Sequence, residues 1–291
     1  MLLETLKLAL VTIWRNALRS LLTLLGVTIG VAAVIALLTL GQGTTAQVSS
    51  SISSLGSNLL VLRSGQLSQG PQGLAAASFR SADAEAIARQ IQSVDVVAPI
   101  DATSMTAIVD SAKHYTSVYG VDNNFLTARQ WGIASGRVFH QAELVSGTAS
   151  CLIGKAAADA LFANTDPLDR VVRLKSLVCK VIGVLAEKGT GSFGSNQDDV
   201  ILLPLHTFQR RISGNDAVSV IYVAVQSEEA IARVQQDVTS LLRERRHLGT
   251  NEDDDFMVMD MRQISSMLGS VMGVLTGLLT AIAGISLLVG G

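Results

Sequence analysis

Two stretches of this chain carry no charge at all. From Leu21 to Leu40 there are 20 such residues, and from Ile264 to Gly291 the sequence is again uncharged. A helix rising about 1.5 Å per residue needs about 20 residues to cross a hydrocarbon core, so each stretch predicts a transmembrane helix, over 21–45 and 263–291. Ahead of the first, Leu2, Leu3, Leu6, Leu10, Ile13, Trp14, Ala17 and Leu18 recur at helical spacing, opposite Glu4, Lys7, Arg15, Asn16 and Arg19. That pattern predicts an amphipathic helix over 1–20 on the cytoplasmic membrane surface, with Trp14 at headgroup level. The alternative is the polar start of a longer, tilted span.

A cleaved signal peptide fits less well, because the apolar run is long, some twenty residues precede it and no small-x-small cleavage site follows. Lys7, Arg15 and Arg19 precede the first span, and the next charge is Arg63. The positive-inside rule then places the N-terminus in the cytoplasm and the middle of the chain outside the cell's inner membrane.

The middle, 46–262, alternates strand-like and helix-like patterns. "SNLLVLRSG" predicts a strand, "GQLSQGPQG" a loop, "SADAEAIARQIQ" a helix capped by Ser81, and "VDVVAPI" a strand ending near Pro99. The same order returns in "VSVIYVAVQ", a helix from Ser227 and "DFMVMDM". Both helices contain "EAIAR", at 85–89 and 229–233; five common helix formers match by chance readily, but the shared context points to two related βαβ units. They predict a porter-like subdomain of 46–113 and 217–262. Short apolar runs between them, such as "CLIGK", "RVVRLKSLVCKVIGVL" and "DDVILLPL", predict an inserted β-rich subdomain of 114–216. The expected class is therefore α+β, with transmembrane helices flanking a large extracytoplasmic domain. After the second apolar run come two glycines and no basic residue, which predicts that the sequence is a fragment of something longer.

Composition sharpens this picture without supplying chemistry. Hydrophobic residues make up 48% and charged ones 16%, while a net charge of -2 with no basic run argues against nucleic acid. The histidines His114, His140, His206 and His247 are scattered without a ligand spacing, and "HQAE" pairs only His140 with Glu143. "NEDDDF" lacks the alternation and glycine of a calcium loop and predicts a solvated acidic turn. "GTGSFGSNQ" lacks the GK[ST] of a phosphate loop, and no serine stands in a GxSxG elbow. No catalytic residue, metal ligand or bound cofactor is expected on this chain.

Small residues line both spans, with Gly26 and Gly30 in a GxxxG and Gly269, Gly273 and Gly277 in a longer ladder. Such faces let helices approach closely, although glycine is also simply common in membrane helices. Cys151 and Cys179 both lie in strand-like runs on the oxidising side, and a disulfide and two buried free thiols both remain open.

Together, "RNALRSLLTLLGVTIGVAAVIALLTLGQG", "SSLGSNLLVL", "WGIASGRVF", "CLIGKAAADALF", "CKVIGVLAEKG", "DDVILLPLHTFQRR" and "DDDFMVMDMRQI" resemble the N-terminal half of a MacB-type ABC transporter permease. The resemblance covers essentially the whole chain and implies a first span, a periplasmic core domain with a porter-like subdomain interrupted by a β-rich one, and a second span. It implies export across the cell envelope by a homodimer or a pair of related permeases, powered by an ABC ATPase. ATP and magnesium would bind that ATPase, on a separate polypeptide because this chain lacks a Walker A motif. A periplasmic adaptor, or membrane fusion protein, and a TolC-like outer-membrane channel are the further partners implied. Family permeases continue into two more spans and a coupling element, both absent here. Asp169 stands where the family commonly has glycine, which bears on the shape of that turn. The alternative is a membrane-tethered, FtsX-like module regulating an extracytoplasmic partner without transport. Relatives move macrolides, peptides, siderophores and lipoproteins, and no loop names a substrate.

Overall fold

The structure is a computed structural model that describes residues 58–65, 77–163, 165–191 and 196–290, together with scattered helical positions between Glu4 and Gly43. It divides into a smaller unit, Met1–Gln47 with Ser265–Gly291, and a larger one, Val48–Ile264.

In the larger unit, β1 (Leu59–Ser64), α1 (Ser81–Gln90) and β3 (Val94–Val109) form one strand-helix-strand run. β11 (Val220–Val225), α6 (Ile231–Arg245) and β12 (Phe256–Asp260) form the second, and the short strands β2 (Phe79–Arg80) and β10 (Ala217–Val218) pair with each other apart from the main sheet. The strands stand in the order β12-β1-β11-β3, all antiparallel to their neighbours. The two runs therefore interleave, and each helix connects parallel strands that have a strand of the other run between them. Ile87 and Ile231, the isoleucines of the two "EAIAR" runs, bury in one apolar cluster with Leu60, Val223, Val234 and Phe256.

Local details differ from the sequence expectation. Ser81 is not the cap of α1. Arg80 is, and its N–H donates to the Asp83 carboxylate at 2.9 Å. Ser227 makes no side-chain cap either, and its helix opens with a 3-10 turn, Glu228–Ala230, before α6. The strand from Val94 does not end at Pro99 but runs 16 residues. Ile100 points its carbonyl at β11, accepting from Ser219 N–H, so by alternation the nitrogen of Pro99 faces the opposite edge. There β4 (Ala112–Val121) begins pairing only at Asp101, and a missing N–H costs nothing.

Beyond Asp101, β3 enters a second layer. Its neighbours run β3-β4-β9-β6-β8, with β9 at Val200–Pro204, β6 at Ser150–Ile153 and β8 at Leu177–Leu185. β7 (Val171–Leu174) pairs with both β8 and β3, so the six strands close on themselves. Closure leaves no free edge among them. Val118, Val172, Leu174, Val181 and Ile201 fill the interior, and Ala157, Leu161 and Phe162 of α4 (Lys155–Phe162) join the same cluster. Gly154 precedes α4, where a Cβ would stand 2.2 Å from the Asp198 carbonyl oxygen, so only glycine lets that carbonyl approach. The partition expected at 113/114 falls inside β4, whereas the change of strand partner lies between Ile100 and Asp101.

The acidic turn is exposed over 251–253, as expected, and its last two carboxylates also serve as counterions of the α6 C-terminus. Arg243 pairs with Asp254, and Arg246 reaches Asp255 at 2.7 Å while its guanidinium lies 4.6 Å from the Phe79 ring centroid and 5.5 Å from that of Phe256. Arginines in a last helical turn also meet the negative end of the helix dipole. Asp169 takes the left-handed conformation, φ 61°, that a glycine would supply, and its carboxylate pairs with Lys180 at 2.8 Å. Asp tolerates that region better than most residues.

In the smaller unit the described residues are helical, and α7 runs over Met261–Gly290. Among the described residues no helix is long and apolar enough to cross a membrane. Lys7, Trp14 and Arg19 lie outside the described residues, while Arg15 is helical and exposed.

Candidate functional site

Where β3 changes partner, its backbone belongs to both layers, and the side chain at that point is the buried carboxylate of Asp101. Asp101 accepts from Ser213 Oγ at 2.6 Å, from Ser219 Oγ, and from the N–H of Ala102 at 3.0 Å. Ser213 closes a π-helical turn, Gln209–Ser213, that continues α5 (Leu205–Phe208), and Ser219 leads into β11. One carboxylate therefore ties the closed β layer to the split βαβ layer. Buried Gln209 adds a second tie, donating to the Ala217 carbonyl at 3.2 Å and to Ser81 Oγ at 3.4 Å. Sequence reasoning passed over both residues, because a lone Asp and a lone Gln carry no motif. Asp101→Ala leaves the half-buried Ser213 hydroxyl and the exposed Ser219 hydroxyl without their shared acceptor and is expected to cost about 1 kcal/mol. A thermal melt together with hydrogen exchange over 209–219 measures it; an unchanged melt with unchanged exchange would show that the carboxylate ties nothing.

The opposite end of the sheet receives and releases the chain. β1 and β12 are neighbours, with Leu60 opposite Asp260, and α7 follows at Met261.

A third feature lies on the face of the sheet away from α1 and α6. α2 (Asn123–Ala128) packs Phe125 on Tyr222, with ring centroids 6.1 Å apart and planes within 16°. Asp122 caps this helix, accepting from Phe125 N–H at 3.2 Å, and burial pushes its carboxyl up to about 6 despite backbone hydrogen bonds that favour the anion. Trp131 donates to the Ala186 carbonyl at 2.7 Å. The Arg129 guanidinium lies 5.2 Å from the Trp131 centroid and donates to Gln197. Lys188 Nζ donates to the Arg129 carbonyl, and burial, followed by the charge of Arg129, lowers its pKa to about 8. Asp198 accepts from the N–H groups of Lys188 and Gly189, both at 2.8 Å, and so fastens the start of the Gly/Ser-rich turn.

The residues singled out from sequence separate into groups. Cys151 on β6 and Cys179 on β8 are joined by a disulfide, both fully buried inside the closed strands. His140 and Glu143 form the start of α3 (Gln141–Ser146), where the Glu143 carboxylate accepts from the His140 N–H at 2.7 Å, a helix cap rather than a reacting pair. His114 pairs with Asp199 at 2.9 Å. Among the described residues no group of three or more His, Cys, Asp or Glu is placed to hold a metal ion. At Gly26, Gly30, Gly269, Gly273 and Gly277 an added Cβ would meet nothing within 4 Å, so these faces are open.

Comparison with known proteins bears directly on this arrangement. Residues 20–241 match the family model of the MacB-like periplasmic core domain. A macrolide export ATP-binding/permease protein MacB of Azoarcus sp. (strain BH72) is 34% identical over 290 residues, covering 100% of this chain and 43% of the relative. Its counterpart in Syntrophobacter fumaroxidans is 30% identical over 341 residues, covering 97% of this chain and 48% of the relative. The chain thus spans somewhat under half the length of these relatives. Among solved structures, the periplasmic region of MacB from Actinobacillus actinomycetemcomitans aligns with TM-score 0.63 at 20% identity, covering 75% of this chain and 95% of that one. The extracellular domain of the transporter YknZ from Gram-positive bacteria aligns with TM-score 0.57 at 22% identity, over 69% of this chain and 100% of that one. At these identities the two structures speak for the fold.

Proposed function

The chain belongs to the MacB-like periplasmic core domain family, and from that premise we propose that it is the permease portion of a MacB-type ABC transporter in the inner membrane. In this reading ATP hydrolysis outside these 291 residues moves the flanking helices, and the larger unit converts that motion into export of a substrate across the envelope.

The observation that carries the reading is that α7 follows β12 without a gap and that β12 pairs with β1. A pull on α7 reaches the β12-β1-β11-β3 sheet directly, and β3, clamped at Asp101, passes it into the closed β layer.

Membrane placement of 21–45 and 263–291 rests on exposure and chemistry. Leu21, Leu22, Leu25, Ile29, Ile35 and Leu278 stand 53–62% exposed on helical backbone, an apolar surface that water would penalise and hydrocarbon would not. Polar side chains here fold back onto their own helix, Thr39 Oγ1 donating to the Ile35 carbonyl at 2.8 Å and Ser270 Oγ to that of Ser266 at 3.0 Å. The open glycine faces at Gly26, Gly30, Gly269, Gly273 and Gly277 then suit packing against other helices, those of a second permease included.

An ABC ATPase holding ATP and magnesium, a periplasmic adaptor and a TolC-like channel complete the proposal. Its test is recovery of the tagged chain from native membranes in mild detergent, with partners identified by mass spectrometry. Co-purification of an ABC ATPase with an adaptor is expected; an intact, membrane-inserted chain that brings down no ATPase would overturn transport and favour the tethered regulatory module.

A further inference from the structure

An open cleft of about 320 Å³ lies on the outer surface of the closed strands, near the end of β5 (Ile133–Gly136) and along β8. Its wall exists because of Gly136. At φ 84° the chain turns so tightly over β8 that a Cβ would stand 2.4 Å from the Ile182 carbonyl oxygen. The next residue, Arg137, is held there by its N–H donating to that same carbonyl at 3.0 Å.

Four charges of alternating sign line the cleft. Glu143 and Arg137 form a two-point pair at 2.6 and 3.0 Å, Asp169 and Lys180 a second pair at 2.8 Å, and Arg137 also feels the Asp169 carboxylate. The Arg137 hydrogen bond holds Glu143 down at about 2, so both carboxylates stay ionised at neutral pH. At the base lies the hydroxyl of Ser150, a residue only 2% exposed. It lies close enough to Glu143 to favour that carboxylate's ionised form but falls short of full hydrogen-bond geometry with it.

Buried hydroxyls rarely stay unpartnered, and one facing a charged cleft points to a ligand that completes it. Asp169 and Lys180 are both more than a third exposed, and such an exposed ion pair holds little free energy, so exchanging its partners for those of a ligand costs little. Because the lining sums to zero, a lone anion or cation would leave one pair of like charges facing it. We propose that this cleft binds a small zwitterion, a ligand presenting one ammonium and one carboxylate a few bonds apart, the chemistry shared by a free α-amino acid and a dipeptide. The carboxylate lies between Arg137 and Lys180, the ammonium between Glu143 and Asp169, and Ser150 Oγ bonds the ligand. Nothing in this depends on transport or on ATP.

Titration calorimetry on the whole chain in detergent tests it with alanine, alanyl-alanine, N-acetylalanine and alaninamide. Alanine, alanyl-alanine or both bind, and the two capped analogues bind at least about tenfold more weakly, the effect of losing a charged hydrogen-bond partner. Binding of alanyl-alanine alone identifies a peptide, and equal or tighter binding of alanine identifies the free amino acid. Lys180→Gln and Ser150→Ala each weaken binding about tenfold with unchanged circular dichroism, and Asp169→Asn replaces either variant that fails to fold. The proposal falls if the capped analogues bind equally, if these variants bind as the parent does, or if no probe gives heat at concentrations on the order of 10 mM.

Discussion

Replacing Cys151 and Cys179 together with alanine lowers the melting temperature of the larger unit by about 6–16 °C. The bonded residues are 28 apart in sequence. Cross-linking a loop of that size removes unfolded-chain entropy worth about 3–4 kcal/mol. A unit of 150–250 residues shifts about 2–4 °C per kcal/mol, which gives the range stated. Both sulfurs are fully buried, so reductant added below the melt leaves the parent's fold intact, while reductant present through the melt reproduces the double variant. Alanine is preferred to serine because two unpartnered hydroxyls in an apolar interior would add a cost of their own. Scanning calorimetry of the parent, with and without reductant, and of the variant checks this. Coincident melts would mean that the closed strands, rather than the cross-link, hold this region.

Asp122→Asn is expected to act in the opposite direction and to depend on pH. Burial raises the Asp122 carboxyl from 3.8 to about 6, so the folded chain binds this proton more readily than the unfolded chain does. Stability therefore falls as pH rises from about 4 to about 6 and stays lowered above, by up to about 3 kcal/mol. Asparagine offers the Phe125 N–H the same acceptor oxygen and caps helices as well as aspartate does, without a buried charge. At pH 7.5 the variant gains up to about 3 kcal/mol, and near pH 4 the difference vanishes. Denaturant unfolding at both pH values measures it. A variant less stable at pH 7.5 would show that the anion's bonds to the α2 backbone outweigh its desolvation.

Much of the fold follows from pattern. The strand-helix-strand order at both ends of the larger unit was legible because apolar alternation and helical spacing are local properties, as in "LLVLRS" and "VIYVAV". The family was legible from an ordered series of segments, any one of which alone would have been weak. Caps and ends were less so. Asp83 caps α1 from its third position, and β3 runs through Pro99, because each depends on which neighbour takes the remaining hydrogen bond.

By itself, the sequence determined the flanking apolar stretches, the two related runs and a β-rich insertion between them, since hydrophobic periodicity and charge are read along the chain. Only the tertiary structure decided that the runs interleave as β12-β1-β11-β3, that the insertion closes through β7, and that Cys151 meets Cys179 across the parallel strands β6 and β8. It alone brought Asp101 to Ser213 and Ser219, residues 112 and 118 positions away. Such contacts form when non-local strands pair, and the free energy that selects one pairing over another resides in the shared core, where no single segment carries it.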